Sequence, residues 1–265
     1  MMTLDSFDWS ITNRELVIFI PNWGRGEYVR QTVKTIDTMV PLNKWLVVVI
    51  NDRIHEDLSD LDGFENTVYL TFGPERTTEG RGDAFMRNVA IKRCQSKWFF
   101  QKDPEIIVTG DFIQNILNCP TDMYRLSGPA QKTREDTTKR FLQGKSTIYE
   151  CSKDADDYTI DPDKFVYCHF GFAVKTKILR DMRGYDEDYK KMYCADRDLY
   201  MRLMAQGIQP TFDPQCHPIH LWHTLPWYPN TPKTKADYAE MQSLFASKDP
   251  QQFIRNNPDT WGEGD

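Results

Sequence analysis

Residues 16–52 read LVIFIPNWGRGEYVRQTVKTIDTMVPLNKWLVVVIND, and they decide the class of fold. Leu16-Val17-Ile18-Phe19-Ile20 is an unbroken apolar run rich in β-branched side chains. Such a run fits a strand buried on both faces, as in a parallel sheet covered by helices. It stops at Pro21-Asn22, and a short loop, Trp23-Gly24-Arg25-Gly26, follows. Over 27–39 the spacing turns helical, with Val29, Val33 and Ile36 on one face. Pro41-Leu42-Asn43 breaks that helix. Trp45-Leu46-Val47-Val48-Val49-Ile50 is then a second buried strand, ending at Asn51-Asp52. Strand, helix and strand form a βαβ unit with a right-handed crossover. Ligands of open α/β sheets bind beyond the carboxyl ends of the strands. Asp52 sits at such an end, where its carboxylate can accept hydrogen bonds from a ribose or a base edge. A plain turn aspartate is the alternative.

Working outward, residues 67–72 are a third predicted strand. Gly80-Arg81-Gly82-Asp83 precedes a helical pattern over 84–94, with Phe85, Val89 and Ile91 apolar and Arg87-Asn88 on it. A glycine loop that opens a helix can approach a phosphate closely, although most such loops are only turns. The aromatic strand Trp98-Phe99-Phe100 runs into Asp103-Pro104-Glu105. Two acids around one residue at a strand end can serve one hard cation, Mg²⁺ or Mn²⁺, that carries substrate phosphates. A surface turn is again the alternative, since Asp-Pro starts turns. A short helix is predicted over 111–117. From 121 to 163 the pattern decays into charged, mixed sequence and reads as an insertion, with room for a hairpin, over the active face. Residues 165–174 read as a strand with a glycine inside.

The stretch 183–207, RGYDEDYKKMYCADRDLYMRLMAQG, carries two acidic groups in series. Gly184-Tyr185-Asp186-Glu187 sits on a glycine turn. Asp196-Arg197-Asp198 opens an apolar run with Leu199, Leu203 and Met204 on one helix face, closed by Gly207. Asp196 therefore lies at a helix N-terminus, where the dipole favours a charged carboxylate. An N-cap and a solvated charge run would give the same pattern. An edge strand over 210–214 leads to a cluster holding three of the five histidines, His217, His220 and His223. If the chain is extended there, His217 and His223 share a face and His220 takes the other. As a group they suit a metal or a phosphate. The end of the chain is polar and proline-rich, with a helical piece over 236–245, and reads as a surface tail that packs back.

The chain has 265 residues with 40% hydrophobic and 27% charged side chains, ordinary for a globular α/β domain. The net charge of −6 speaks against a protein that wraps duplex nucleic acid, without excluding a nucleic-acid acceptor. The lack of a long apolar run predicts no transmembrane helix, and the acidic N-terminal residues predict no signal peptide. Six scattered cysteines without a CxxC pair speak against a zinc ribbon and are expected as reduced thiols in a cytoplasmic protein.

In order, these features resemble a GT-A glycosyltransferase of the family 2 type, over about 16–223. The resemblance implies a Rossmann-like, mostly parallel sheet flanked by helices, with a small antiparallel part on the acceptor side. It divides the chain into one catalytic domain over 1–223, with a nucleotide-binding half at 14–110 and an acceptor-binding half at 111–223, and an extension over 224–265. It further implies that Pro21, Asn22, Asn51, Asp52, Gly82, Arg87 and Asn88 hold the donor nucleotide, UDP-sugar being favoured. Asp103 and Glu105, with His220 or His223, would hold Mn²⁺ or Mg²⁺. Gly184, Asp186, Glu187 and Trp222 would face the acceptor, a glycan or other hydroxyl-bearing molecule. Asp196 would be the base of an inverting transfer. The chain departs from the family pattern in two places: Asp-x-Asp is Asp-Pro-Glu, and the acid before the catalytic Asp is Ala195. A non-catalytic nucleotide- or sugar-binding relative and a nucleotidylyltransferase are the alternatives.

Overall fold

The computed structural model describes residues 2–39, 42–52, 56–72, 82–126, 130–158, 171–191, 194–224 and 232–263. The chain opens with β1 (Met2–Thr3), β2 (Leu16–Asn22), α1 (Gly26–Asp37), β3 (Trp45–Asn51), β4 (Thr67–Thr71) and α2 (Gly82–Arg93). It continues through β5 (Trp98–Gln101), β6 (Ile106–Thr109), α3 (Phe112–Leu117), β7 (Met123–Leu126), β8 (Ala130–Lys132), α4 (Glu135–Leu142) and α5 (Ile148–Lys153). The last elements are β9 (Asp156–Tyr158), β10 (Phe172–Lys175), α6 (Thr176–Asp181), α7 (Ala195–Ala205), β11 (Pro210–Asp213), β12 (His217–His220) and α8 (Pro232–Ser247).

The main sheet has the order β1-β4-β3-β2-β5-β10-β7-β11. Its neighbours are parallel except at β10, which runs antiparallel to both β5 and β7. The apolar runs dictate this arrangement. All seven residues of β2 and of β3 are buried, so neither strand can face water on either side. Alternate residues feed two separate cores. Leu16, Ile18, Ile20, Val47 and Val49 pack with Val29, Val33 and Ile36 of α1 and with α3. Val17, Phe19, Val48 and Ile50 pack with α2, Leu179 of α6 and Leu199 and Leu203 of α7.

A second sheet, β6-β12-β8-β9, sits beside the first and packs on α4 and α5 through Ile107, Ile219, Leu221, Phe141 and Cys151. The expected insertion over 121–163 is corrected here. Met123–Leu126 is a strand of the main sheet between β10 and β11, and β8 and β9 pair antiparallel in the second sheet. The mixed polarity of Tyr124 and Arg125 hid a strand that is buried at all four positions. The strand expected over 165–174 is observed as Phe172–Lys175, and residues 165–170 lie outside the described ones. The C-terminal part packs back as expected: Met241 and Trp261 join the core on the α2 and α7 face. Helix α7 ends as its sequence predicts. Gly207 has φ +77°, its N–H donates to Met204 O at 2.9 Å, and that of Ile208 donates to Leu203 O at 3.1 Å. Among the described residues no helix is long and apolar enough to cross a membrane.

Candidate active site at the carboxyl ends of the strands

β2 and β3 end side by side, with Asn22 in register with Asn51. Asn22 Nδ2 donates to Asn51 Oδ1 at 3.1 Å and to Glu56 Oε2 at 2.7 Å. Asn51 Nδ2 in turn donates to the Tyr69 hydroxyl at 2.8 Å. The Asp52 N–H donates to Asn22 O at 3.2 Å. The other Glu56 oxygen accepts from the Gly26 N–H at 2.6 Å, so a loop carboxylate holds the N-terminus of α1. Pro21, Asn22, Asn51 and Asp52 thus converge at one sheet end, with Glu56 as a further polar group there. Glu56 sits in a loop without periodicity, and no pattern in the sequence marks it.

β5 ends at Gln101, and the next residues turn the chain from the main sheet into β6 of the second. In that turn the Ile106 N–H donates to Asp103 O at 3.1 Å. Thr32 of α1 braces it by donating its hydroxyl to Pro104 O at 2.7 Å, and Lys102 Nζ lies 3.3 Å from both Thr32 Oγ1 and Asp103 O. Burial pushes the Lys102 amine down to about 7, against the pull of Glu105 and Asp103.

β12 then determines what meets Glu105. His220 is in register with Ile106, and the Leu221 N–H donates to Glu105 O at 2.9 Å. The strand stops at His220, so the expected alternation of the three histidines fails. The chain bends and brings the His223 ring onto the His220 ring at 5.1 Å, while His217 pairs with Thr109 at the far end of β12. His223 Nε2 lies 3.2 Å from Glu105 Oε1. One ligand atom from each of Glu105, His220 and His223 falls within 4.8 Å of the others. Glu105 Oε2 is buried without a hydrogen-bond partner, the condition that a bound cation relieves. Carboxylate oxygen and imidazole nitrogen in this number suit a divalent first-row ion. The residues present therefore fit a metal. Arg25, at the end of the loop that follows β2, forms an ion pair with Glu105 Oε1. Burial works against the Glu105 charge, but the hydrogen bond from His223 and the charges of Arg25, His220 and His223 hold it well below the usual carboxylate range.

Asp103 faces another way. Arg87 of α2 is 2% exposed and reaches Asp103 Oδ1 at 3.0 Å and Asp196 Oδ1 at 3.6 Å. Burial pushes the Asp103 carboxyl up to about 7, with Arg87 opposing and Glu105 and Asp196 adding to the rise. Gln101 Nε2 donates to Asp196 Oδ1 at 3.0 Å, and the Tyr185 hydroxyl donates to Gln101 Oε1. Asp196 lies in the first turn of α7 and keeps 25% of its side chain exposed. Arg87, Asp103 and Asp196 therefore meet from three elements. Gln101 was not among the expected site residues. Its signal is a polar side chain closing an otherwise aromatic buried strand.

Asn88, next to Arg87 on α2, points elsewhere. Its Nδ2 donates to Tyr185 O at 2.8 Å and to Glu187 Oε1 at 2.7 Å, and its Oδ1 accepts from the Tyr185 N–H at 2.8 Å. Gly184 has φ +64°, and a Cβ there would stand 2.0 Å from Asn88 Oδ1, so the turn admits only glycine. The C-terminal segment covers this turn. Glu187 Oε1 also accepts from the Gly262 N–H at 2.8 Å, and Asn256 Oδ1 accepts from the Glu187 N–H at 3.0 Å. Asp186 is 2% exposed and pairs with Lys248 at 2.8 Å and Arg255 at 3.8 Å. Arg255 reaches Asp198 at 3.5 Å, and Arg202 holds Asp198 at 2.7 Å and Gly184 O at 2.9 Å. Gly82 begins α2, and its surroundings at 73–81 lie outside the described residues. Trp222 is anchored beside the histidines. Its N–H donates to Thr133 and Thr138 hydroxyls at 2.9 Å each, and its carbonyl accepts from Tyr28 OH at 2.9 Å.

No family model and no curated protein matches the sequence. Solved structures do match the fold. Staphylococcus aureus TarS 1–349 in complex with UDP aligns over 88% of this chain and 64% of its own, at 15% identity and a TM-score of 0.58. GalNAc-T7 with UDP, GalNAc and Mn²⁺ aligns over 88% of this chain and 48% of its own, at 12% identity and a TM-score of 0.58. The mannosyltransferase PcManGT from Pyrobaculum calidifontis, with GDP-Man and Mn²⁺, aligns over 82% and 61%, at 13% identity and a TM-score of 0.52. The chain spans less than two thirds of the length of these structures. It shares their α/β fold, the GT-A fold that its sequence resembles.

Proposed function

We propose that this chain is a glycosyltransferase that uses a nucleoside-diphosphate sugar and a divalent metal. The observation that carries the reading is the convergence at one end of the main sheet. Glu105, His220 and His223 lie close enough to share a cation near the strand ends of Asn22 and Asp52, and Asp196 is braced by Gln101 and Arg87. The UDP, GDP-Man and Mn²⁺ in the matched structures support the same ligand chemistry.

In this reading Asn51 and Asp52 accept hydrogen bonds from base and ribose, and Glu105, His220 and His223 hold the ion. The ion, when bound, neutralises the diphosphate so that it can leave. Asp196 is the base. Its carboxylate sits in the first turn of α7 beside Arg87, and Gln101 fixes its orientation. It takes the proton of an acceptor hydroxyl while that oxygen attacks the anomeric carbon from the face opposite the leaving group, which inverts the centre. Trp222 offers an aromatic surface beside the histidines for the sugar or the acceptor. UDP-sugars are the first donors to try.

The test is a panel of UDP-, GDP-, dTDP- and CMP-sugars, followed by thermal shift and by sugar release, with and without Mn²⁺. A metal-dependent shift with one nucleotide class, and metal-dependent release, are expected. A shift without release would overturn the enzyme reading in favour of a non-catalytic relative, and no shift with any donor would overturn the donor site itself.

A further inference from the structure

One oxygen of Glu105 already carries a cation. Arg25 Nη1 is paired with Glu105 Oε1, the same atom that lies 3.2 Å from His223 Nε2. The pair is well enclosed, with the Arg25 side chain 14% and the Glu105 side chain 5% exposed. Arg25 stands where the backbone leaves β2 and α1 begins, with φ −122° at the helix cap. A divalent ion bonded to the same carboxylate would place like charges against each other in a site poor in water. The guanidinium must then leave Glu105 or gain an anion. Its planar fork matches two oxygens of a phosphate.

We propose that Arg25 binds the diphosphate of the donor, and that it rests on Glu105 until ion and nucleotide arrive. This rests on the donor-site reading given above. Arg25 opposes the ion when the ion comes alone, because the two compete for Glu105. A diphosphate gives Arg25 another partner and removes the competition. Ion and nucleotide therefore bind cooperatively, and by linkage each raises the affinity of the other by the same factor. Asp103 is the nearby acid already committed to a different cation, Arg87, so the exchange falls on Glu105.

The experiment compares the full chain with Arg25→Met and Arg25→Lys. Mn²⁺ binding is read from the electron paramagnetic resonance of free Mn²⁺, and UDP binding, with GDP as a second probe, from calorimetry. Each ligand is titrated with and without the other. Arg25→Met is expected to bind Mn²⁺ alone about five- to tenfold more tightly than the unaltered chain, and UDP in saturating Mn²⁺ about tenfold more weakly. The coupling factor, typically about 5–150 for linked sites, should fall toward one. Arg25→Lys keeps the charge and should recover part of both effects. Weaker Mn²⁺ binding by Arg25→Met alone would show that Arg25 only orients Glu105, and would overturn the proposal. So would unchanged binding of both ligands. Failure of the unaltered chain to bind Mn²⁺, UDP or GDP would instead overturn the donor-site reading, and this proposal with it.

Discussion

Asp103 and Glu105 on one side, and Asp186 and Glu187 on the other, are two acidic pairs that look alike as sequence. Each follows a buried or glycine-bound stretch, and each has a place in the family pattern. Their surroundings separate them. The first pair lies in the turn between the two sheets, where Arg25 and the His223 imidazole meet Glu105 Oε1 and His220 belongs to the same cluster. The second pair is consumed by its own chain. Lys248 and Arg255 hold Asp186, while Asn88 and the Gly262 N–H hold Glu187. The acid whose neighbours include two imidazoles can share a ligand with them, whereas the acids met by residues 248–262 serve the fold. Asp196 stands between these cases, braced by Gln101 and Arg87 but a quarter exposed.

The comparison breaks most sharply at Asp196. Asp196→Asn is expected to slow transfer about 10²–10⁴-fold, the range for losing a general base, while nucleotide binding persists. Near-normal turnover in steady-state assays would remove Asp196 from the base role. Next in size is Arg255→Met. It takes one cation from two buried carboxylates, Asp186 and Asp198, which keep Lys248 and Arg202. Urea unfolding should show a loss of about 3 kcal/mol, the low end for stripping a buried ion pair. Mn²⁺ affinity of the folded protein should not change. A loss within about 0.5 kcal/mol, the scale of an ordinary surface substitution, would mean that the C-terminal segment does not hold the acidic turn. The smallest effect is expected at Thr32→Val, which removes the bond to Pro104 O and one of two partners of Lys102. Unfolding should register about 1 kcal/mol, with Mn²⁺ affinity a few-fold weaker because the Asp-Pro-Glu turn is less firmly held. Unaltered Mn²⁺ affinity would show that the brace is dispensable.

The central sheet was legible because its strands are apolar at every position, from Leu16 to Ile20 and from Trp45 to Ile50. Strand β7 was not, because Tyr124 and Arg125 are buried in the sheet without breaking the mixed polarity of their surroundings. The Asp-Pro-Glu turn was legible as two carboxylates at a strand end. Its actual partners were not, because they depend on the register of β12 against β6 and on the bend after His220. Local periodicity says nothing about either. The same holds for Asp186 and Glu187, whose partners come from residues 248–262, a stretch that reads as a polar tail. Gly184 could be read as a turn from sequence, but the reason it must be glycine, the approach of Asn88, is a tertiary fact.

The measurement that bears most directly on the contrast is a side-by-side Mn²⁺ titration of the unaltered chain, Glu105→Gln and Glu187→Gln, read from free Mn²⁺. Both changes are isosteric, and glutamine at 187 keeps an acceptor oxygen for Asn88 and Gly262. The account expects Glu105→Gln to weaken Mn²⁺ binding about a hundredfold or more, as loss of the one carboxylate in this set of described residues should, and Glu187→Gln to leave it unchanged. Equal binding by Glu105→Gln, or loss of binding in Glu187→Gln alone, would contradict it.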